Sequence, residues 1–127
     1  MFCNFETVLA AIDSNACRIL DARSAGRFKG VEPEPRPGVR SGHMPNAHNL
    51  PCREVLNGRF MKSAEELLKI LSGHASPEQK IITSCGSGIT ACILTLAADI
   101  AGYEKLAVYD GSWAEWGLPS KLPVVTE

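Results

Sequence analysis

This 127-residue chain has no two cysteines spaced C-x-x-C, and its cysteine total, five, is odd. Both facts argue against a disulfide framework and against a zinc site built on cysteine pairs, and they point to a reducing compartment, cytosol or mitochondrion. Neither sign of charge is in excess. Thirteen Lys and Arg face fourteen Asp and Glu, a formal net charge of -1, so nothing global draws the chain to nucleic acid or to an anionic membrane. No apolar run has the length of a membrane span; the longest, Ile89 to Ala101, is too short and carries Asp99. The opening Met-Phe-Cys-Asn-Phe-Glu lacks the regions of a signal peptide. Repeats and low-complexity stretches are absent. No group of His, Cys and acidic residues has metal-ligand spacing, so no metal and no cofactor is expected.

What remains is an ordinary globular composition, 45% hydrophobic and 21% charged, enough for one domain over residues 1–127 with a single core. Phe5 to Ser14 carries apolar residues at 5, 8, 9 and 12, the spacing of an amphipathic helix. Cys17 to Ala22 reads as a buried strand ending near Asp21. Gly26 to Pro45 is punctuated by Gly and Pro and reads as a long loop, functional or disordered. Ala47 to Leu50 is a second short strand. Ser63-Ala-Glu-Glu66 opens a helix with a capping box. Lys80 to Ser84 and Leu106 to Tyr109 are further strands. Between them, Ile89 to Ala101 is apolar nearly all round and predicts a buried helix with Cys92 in the core. Asp110-Gly-Ser112 turns into a short segment through Trp116. Alternating strands and helices imply an α/β fold, a single parallel β-sheet flanked by helices on both faces. Ligands of such sheets bind at the carboxyl ends of the strands, where Asp21, Cys85 and Asp110 fall.

Cys85 is the most informative residue. It stands where a strand runs into a helix, in Lys80-Ile-Ile-Thr-Ser-Cys-Gly-Ser-Gly-Ile-Thr90. A loop from Cys85 to Thr90 would turn its backbone N–H groups toward the sulfur, and the next helix would aim its N-terminus there. Both favour the thiolate, which is the nucleophile. Two glycines in the next three residues leave nothing bulky to shield it. Cys85 is thus the candidate nucleophile.

Other loop chemistries fit less well. A Walker loop needs Lys-Ser/Thr after its last glycine, and Ile89 follows Gly88. A cysteine phosphatase needs an arginine six positions after the cysteine, where Ala91 stands. Arg27 and Arg36 lie in the long loop and could fork onto a carboxylate; as plain surface residues they would instead be neutralised by Glu32 and Glu34. Ser87 could relay a proton near the sulfur. Thr90 could hydrogen-bond into the loop or simply satisfy its own helix turn. Asp21 and Arg23 read as a structural pair at a strand end, His43 and His48 as hydrogen-bonded scaffold, and Trp113 and Trp116 as core and site rim.

Cys85-Gly-Ser-Gly-Ile-Thr-Ala91 resembles the active-site loop of the rhodanese superfamily, most narrowly the C-terminal catalytic domain of the 3-mercaptopyruvate sulfurtransferases. Asp21-Ala-Arg23, Gly26-Arg-Phe-Lys-Gly30, Pro33-Glu-Pro-Arg36, Gly42-His-Met-Pro45, Asn49-Leu-Pro51 and Tyr109-Asp-Gly-Ser-Trp113 follow that domain in order. The resemblance implies a rhodanese-like fold. It implies transfer of sulfane sulfur from 3-mercaptopyruvate to a thiol or cyanide through a Cys85 persulfide. Ser87 would assist, and Arg27, Arg36, Gly86, Gly88, Ile89 and Thr90 would bind the substrate. Thiosulfate-using relatives hold their dianion with basic loop residues, which Gly86, Ser87 and Gly88 do not supply, so mercaptopyruvate is the expected donor. A thiosulfate sulfurtransferase and a non-catalytic persulfide-carrier or interaction domain are the alternatives. The implied partners are a small sulfur donor, a thiol acceptor such as thioredoxin, and an N-terminal rhodanese domain, since only the second half of a tandem is matched.

Overall fold

A computed structural model describes residues 2–86 and 89–126. In chain order its elements are β1 (Phe2–Cys3), α1 (Phe5–Ala11), β2 (Cys17–Asp21), α2 (Ala25–Lys29), β3 (His48–Asn49), a 3-10 turn (Cys52–Val55), β4 (Leu56–Asn57), β5 (Phe60–Met61), α3 (Ala64–Leu71), β6 (Lys80–Ser84), α4 (Ala91–Ile100), β7 (Leu106–Tyr109) and α5 (Ser112–Trp116). Five strands form one sheet in the order β1-β7-β6-β2-β3, with every pairing parallel. β4 and β5 pair separately as an antiparallel hairpin.

Strand periodicity divides the core in two. Alternate side chains of a strand point to opposite faces. Leu20, Ile81 and Val108 therefore pack on one side, with Leu67, Leu71, Leu94 and Ala98 of α3 and α4. Ile19, Ile82, Ala107 and Tyr109 pack on the other, with Val8 and Ala11 of α1 and with Trp113 and Trp116 of α5. A sheet covered on both faces accounts for the continuous apolar runs of β6 and β7. From β2 the chain steps outward to β3, and from β6 it steps the opposite way to β7. The crevice at the carboxyl ends of β2 and β6 is thus the switch point where ligands of open α/β sheets bind.

α3 has the expected capping box, Ser63 accepting from the Glu66 N–H while the Glu66 side chain reaches back. Three expectations need correction. Part of the long loop is helical: Ser24 caps α2 by accepting from the Arg27 N–H, and Gly30 ends it in the left-handed conformation at φ 80. Five residues are too few to register a helical period. α1 ends at Ala11 rather than Ser14. α4 is not buried all round, because its Cys92-Leu96-Asp99-Ile100 stripe faces out, with Leu96 52% exposed. Cys92 is therefore a surface residue and not part of the core. The apolar stripe is no guide to burial when the sheet edge beside it, β1, is only two residues long.

Candidate active site

Residues 84 to 86 are held by backbone bonds from both sides. Ala22 N–H donates to the Ser84 carbonyl at 2.8 Å, continuing the β2–β6 ladder. The N–H groups of Trp113 and Ala114, which α5 cannot satisfy internally, donate to the carbonyls of Cys85 (2.9 Å) and Gly86 (2.8 Å). The Cys85 N–H donates to Ser112 Oγ at 3.1 Å, and Ser112 Oγ donates onward to the Tyr109 carbonyl at 2.8 Å. Ser112 is fully buried and sits at φ 50, a conformation costly for a residue with a side chain. These two bonds hold it there. The N–H of Cys85 itself is thus engaged by Ser112, a departure from the expected nest in which every loop amide faces the sulfur.

Cys85 is only 1% exposed and joins the apolar cluster of Leu20, Ala22 and Ala91. The expectation of an openly accessible sulfur is corrected: the residue is buried. Ser87 and Gly88 lie outside the described residues. On the far side of the loop, Ile89 is 76% exposed and Thr90 is exposed. Their carbonyls accept from the N–H groups of Cys92 and Ile93, so both residues form the turn that leads into α4, with Thr90 its N-cap. Thr90 makes no side-chain cap bond.

An open cleft of about 260 Å³ lies beside the loop, lined by Arg27, Glu34, Arg36, Gly86, Thr90 and Ala114 among others. The sequence put Arg27 and Arg36 in one loop, and the structure brings both to this cleft. Arg27 forks onto Glu34, Nε to Oε2 at 3.1 Å and Nη2 to Oε1 at 2.8 Å. That bond is the chief reason its pKa rises, with burial opposing and the charges of Glu34, Asp21 and Cys85 reinforcing it. A Cβ on Gly86 would sit 2.8 Å from Arg27 Nη2, so glycine is what lets the guanidinium lie against the loop. Arg36 is exposed and has no hydrogen bond or ion pair among the described residues.

Sequence reasoning missed the support beneath these residues. Glu34 also accepts from Arg23 Nη1 at 3.2 Å. Arg23 forks onto Asp21, Nη2 to Oδ2 at 2.7 Å, donates to the Gly42 carbonyl, and stacks over the Trp113 ring at 4.4 Å. The Asp21–Arg23 pair was legible as structural, and Glu34 as a neutralising partner for the loop arginines, which it is for Arg27; the link from Glu34 back to Arg23 was not. Glu32, weighed equally with Glu34, turns away to Ser24 Oγ at 3.4 Å.

Of the remaining candidates, His43 is scaffold, its Nδ1 2.7 Å from the Phe28 carbonyl and its ring stacked on Phe28. Both tryptophans are fully buried, core rather than rim. Cys52 packs against the cluster containing Cys85, and burial, then the charge of Cys85, pushes its thiol up. No two of the five cysteines are joined in a disulfide. Among the described residues no three His, Cys, Asp or Glu side chains are grouped to hold a metal ion, and no helix is long and apolar enough to cross a membrane.

Residues 4–118 match the rhodanese-like domain. The chain belongs to the rhodanese family. Among individual relatives of this rhodanese domain, the 3-mercaptopyruvate sulfurtransferase of Escherichia coli K12 is 43% identical over 118 residues, 92% of this chain and 42% of that protein. The mouse enzyme of the same name is 42% identical over 113 residues, 87% of this chain and 38% of its own. The crystal structure of Tum1 from Saccharomyces cerevisiae superimposes with a TM-score of 0.86 at 33% identity, covering 99% of this chain and 46% of that one. The rhodanese domain thus spans less than half the length of each of these relatives, and the α/β rhodanese-like fold expected from the sequence is the fold observed.

Proposed function

We propose that this rhodanese domain is a sulfurtransferase that takes sulfane sulfur from 3-mercaptopyruvate onto Cys85. The observation that carries the reading is the position of Arg27, packed against the residue that follows the nucleophile, with Arg36 on the same cleft wall. A donor with one carboxylate beside a carbonyl would be forked by Arg36 and would take further hydrogen bonds from the Arg27 N–H groups not engaged with Glu34, its sulfur facing residue 85. The Cys85 thiolate attacks that sulfur. The S–S bond forms as the C–S bond breaks, pyruvate departs as its enolate and takes up a proton, and Cys85 is left as the persulfide. An acceptor thiolate or cyanide then attacks the outer sulfur and returns Cys85 as thiolate. Gly86, Gly88, Ile89 and Thr90 supply loop amides to the substrate, and Ser87 a hydroxyl for the proton.

Several supports come from relatives. The Escherichia coli and mouse proteins are named for this donor. A Chinese hamster relative, 41% identical, is named thiosulfate sulfurtransferase, which makes thiosulfate the second donor to test. The shortfall in length against these proteins supports an N-terminal rhodanese domain as the partner of residues 1–127. A thiol protein such as thioredoxin fits as acceptor, and cytosol or mitochondrion as location; one plant relative is named mitochondrial.

The test is intact-mass spectrometry after brief exposure to 3-mercaptopyruvate. One added sulfur, about 32 Da, is expected on Cys85 and is lost on adding a thiol. The same adduct on a Cys85→Ser variant, or none on the unmodified chain even with the partner domain supplied, would overturn the reading.

A further inference from the structure

The ionised side chains on the wall of the carboxyl-end cleft do not balance. Arg27 and Arg36 face a single carboxylate, Glu34. Arg23 does not add to this excess, because its charge is compensated by Asp21 at 2.7 Å, both side chains being almost wholly buried. Glu34 is buried too, its side chain 4% exposed, and it is fixed by three contacts, two from Arg27 and one from Arg23. Its backbone is stiff as well, since Pro33 and Pro35 flank it and each proline narrows the conformations available. A carboxylate so immobilised at the edge of a ligand cleft does two things. It aims Arg27 at Gly86, and it cancels one of the two cleft charges. The wall residues together carry one surplus positive charge, which the Cys85 thiolate of the proposed reaction offsets. The Glu34 carboxylate repels an entering anion in proportion to that anion's own charge, so the repulsion on a doubly charged donor is about twice that on a singly charged one.

Resting on the sulfur-transfer reading above, we propose that Glu34 is a specificity-determining residue that sets the cleft charge for singly charged donors and against doubly charged ones such as thiosulfate. The absence of basic residues in the loop, noted from the sequence, explains only why a dianion gains nothing there. Glu34 explains why the two arginines that are present do not supply what the loop lacks.

Titration calorimetry with pyruvate, a monoanion, and sulfate, a dianion, tests this without turnover. The unmodified chain binds pyruvate in preference to sulfate. Glu34→Gln keeps an oxygen for Arg27 but removes the charge, and the sulfate-to-pyruvate affinity ratio rises at least about tenfold. The ratio of kcat/KM for thiosulfate over mercaptopyruvate moves the same way. Glu34→Asp keeps the charge and holds both ratios within about twofold of the starting values. If Glu34 only props Arg27, both anions weaken equally and the ratio stands still, which overturns the proposal. Should the Gln variant fail to fold, the unmodified chain decides: sulfate binding as tightly as pyruvate overturns it. A chain that forms no persulfide with any donor removes the sulfur-transfer reading, while the anion ratios still judge Glu34.

Discussion

The cleft at the carboxyl ends of β2 and β6 has a counterpart of about 210 Å³ at the amino ends of β2 and β3, lined by Asp13, Ser14, Cys17, Arg18, Asn46 and His48 among others. The two resemble each other in inventory, each with a cysteine, an arginine and a carboxylate in or beside it. They differ in what is left over. At the amino end three polar side chains are bonded to the backbone. Ser14 Oγ accepts from the Ala16 N–H, Arg18 Nε donates to the His74 carbonyl, and Asn46 Nδ2 donates to the Ile12 carbonyl. At the carboxyl end the backbone is satisfied by α5, and the guanidinium of Arg36 remains for a ligand. On the proposed reading, a guanidinium beside Cys85 without a partner among the described residues, rather than polar residues as such, separates a reaction site from a hollow.

That comparison breaks most sharply at the two cysteines. Cys85→Ser is expected to abolish persulfide formation and turnover, while Cys17→Ser leaves both unchanged. Sulfur transfer surviving the first substitution, measured with mercaptopyruvate and cyanide, would erase the distinction between the two ends. The arginines come next. Arg36→Ala removes a charged hydrogen bond to substrate and costs about 1.5–3 kcal/mol in kcat/KM, and Arg27→Ala costs at least as much because it also strands half of Glu34. Arg18→Ala at the other cleft leaves kcat/KM in place. Steady-state kinetics on the three variants decide whether the two clefts differ in function or only in shape.

The same contrast marks how far the sequence could be read. β2, β6 and β7 were legible because both faces of the sheet are covered and their residues are apolar in a run. α3 was legible because Ser63 and Glu66 announce it. The sequence placed Cys85 between a strand and glycines, where it lies, but not its burial; it placed Arg27 and Arg36 in one loop, and both line the cleft. α2 was not, since one capped turn and a half has no period. The exposure of Cys92 was not, because apolar residues on α4 say nothing about whether a neighbour covers them. Ser112 escaped because it acts through a backbone N–H 27 positions away, and the bond from Glu34 to Arg23 escaped with it. Long-range polar contacts leave no local pattern.

Ser112 supplies a test of intermediate size. Ser112→Ala strands the buried Cys85 N–H and should destabilise the fold by about 1–3 kcal/mol. Ser112→Gly relieves the strained backbone yet loses the same bond, so it recovers part of the loss but not all. Chemical denaturation of the two variants separates the strain from the hydrogen bond. An Ala variant as stable as the original would mean that α5 alone positions the Cys85 loop.

The smallest effect belongs to the amino end and is a matter of pH. His48 and His74 meet edge to face with ring centroids 6.0 Å apart. Burial holds both below the ordinary imidazole range, Arg18 and His74 adding to it for His48, and Glu54 opposing it for His74. His74 Nδ1 is buried with no hydrogen-bond partner. Both rings are thus neutral in the fold while the unfolded chain still takes up protons near pH 6.5. Where the unfolded state binds more protons, stability rises with pH. The contribution of the pair is therefore complete at about pH 7.5 and is lost as pH falls through 6.5 toward the depressed folded values. Melting temperature should drop between about pH 7.5 and 5.5, a window above the carboxylate titrations. A His48→Asn, His74→Asn double variant should flatten that slope while the pH profile of sulfur transfer at the opposite end keeps its shape. If the variant moves the activity profile as well, the two ends are coupled through β2 and are not independent.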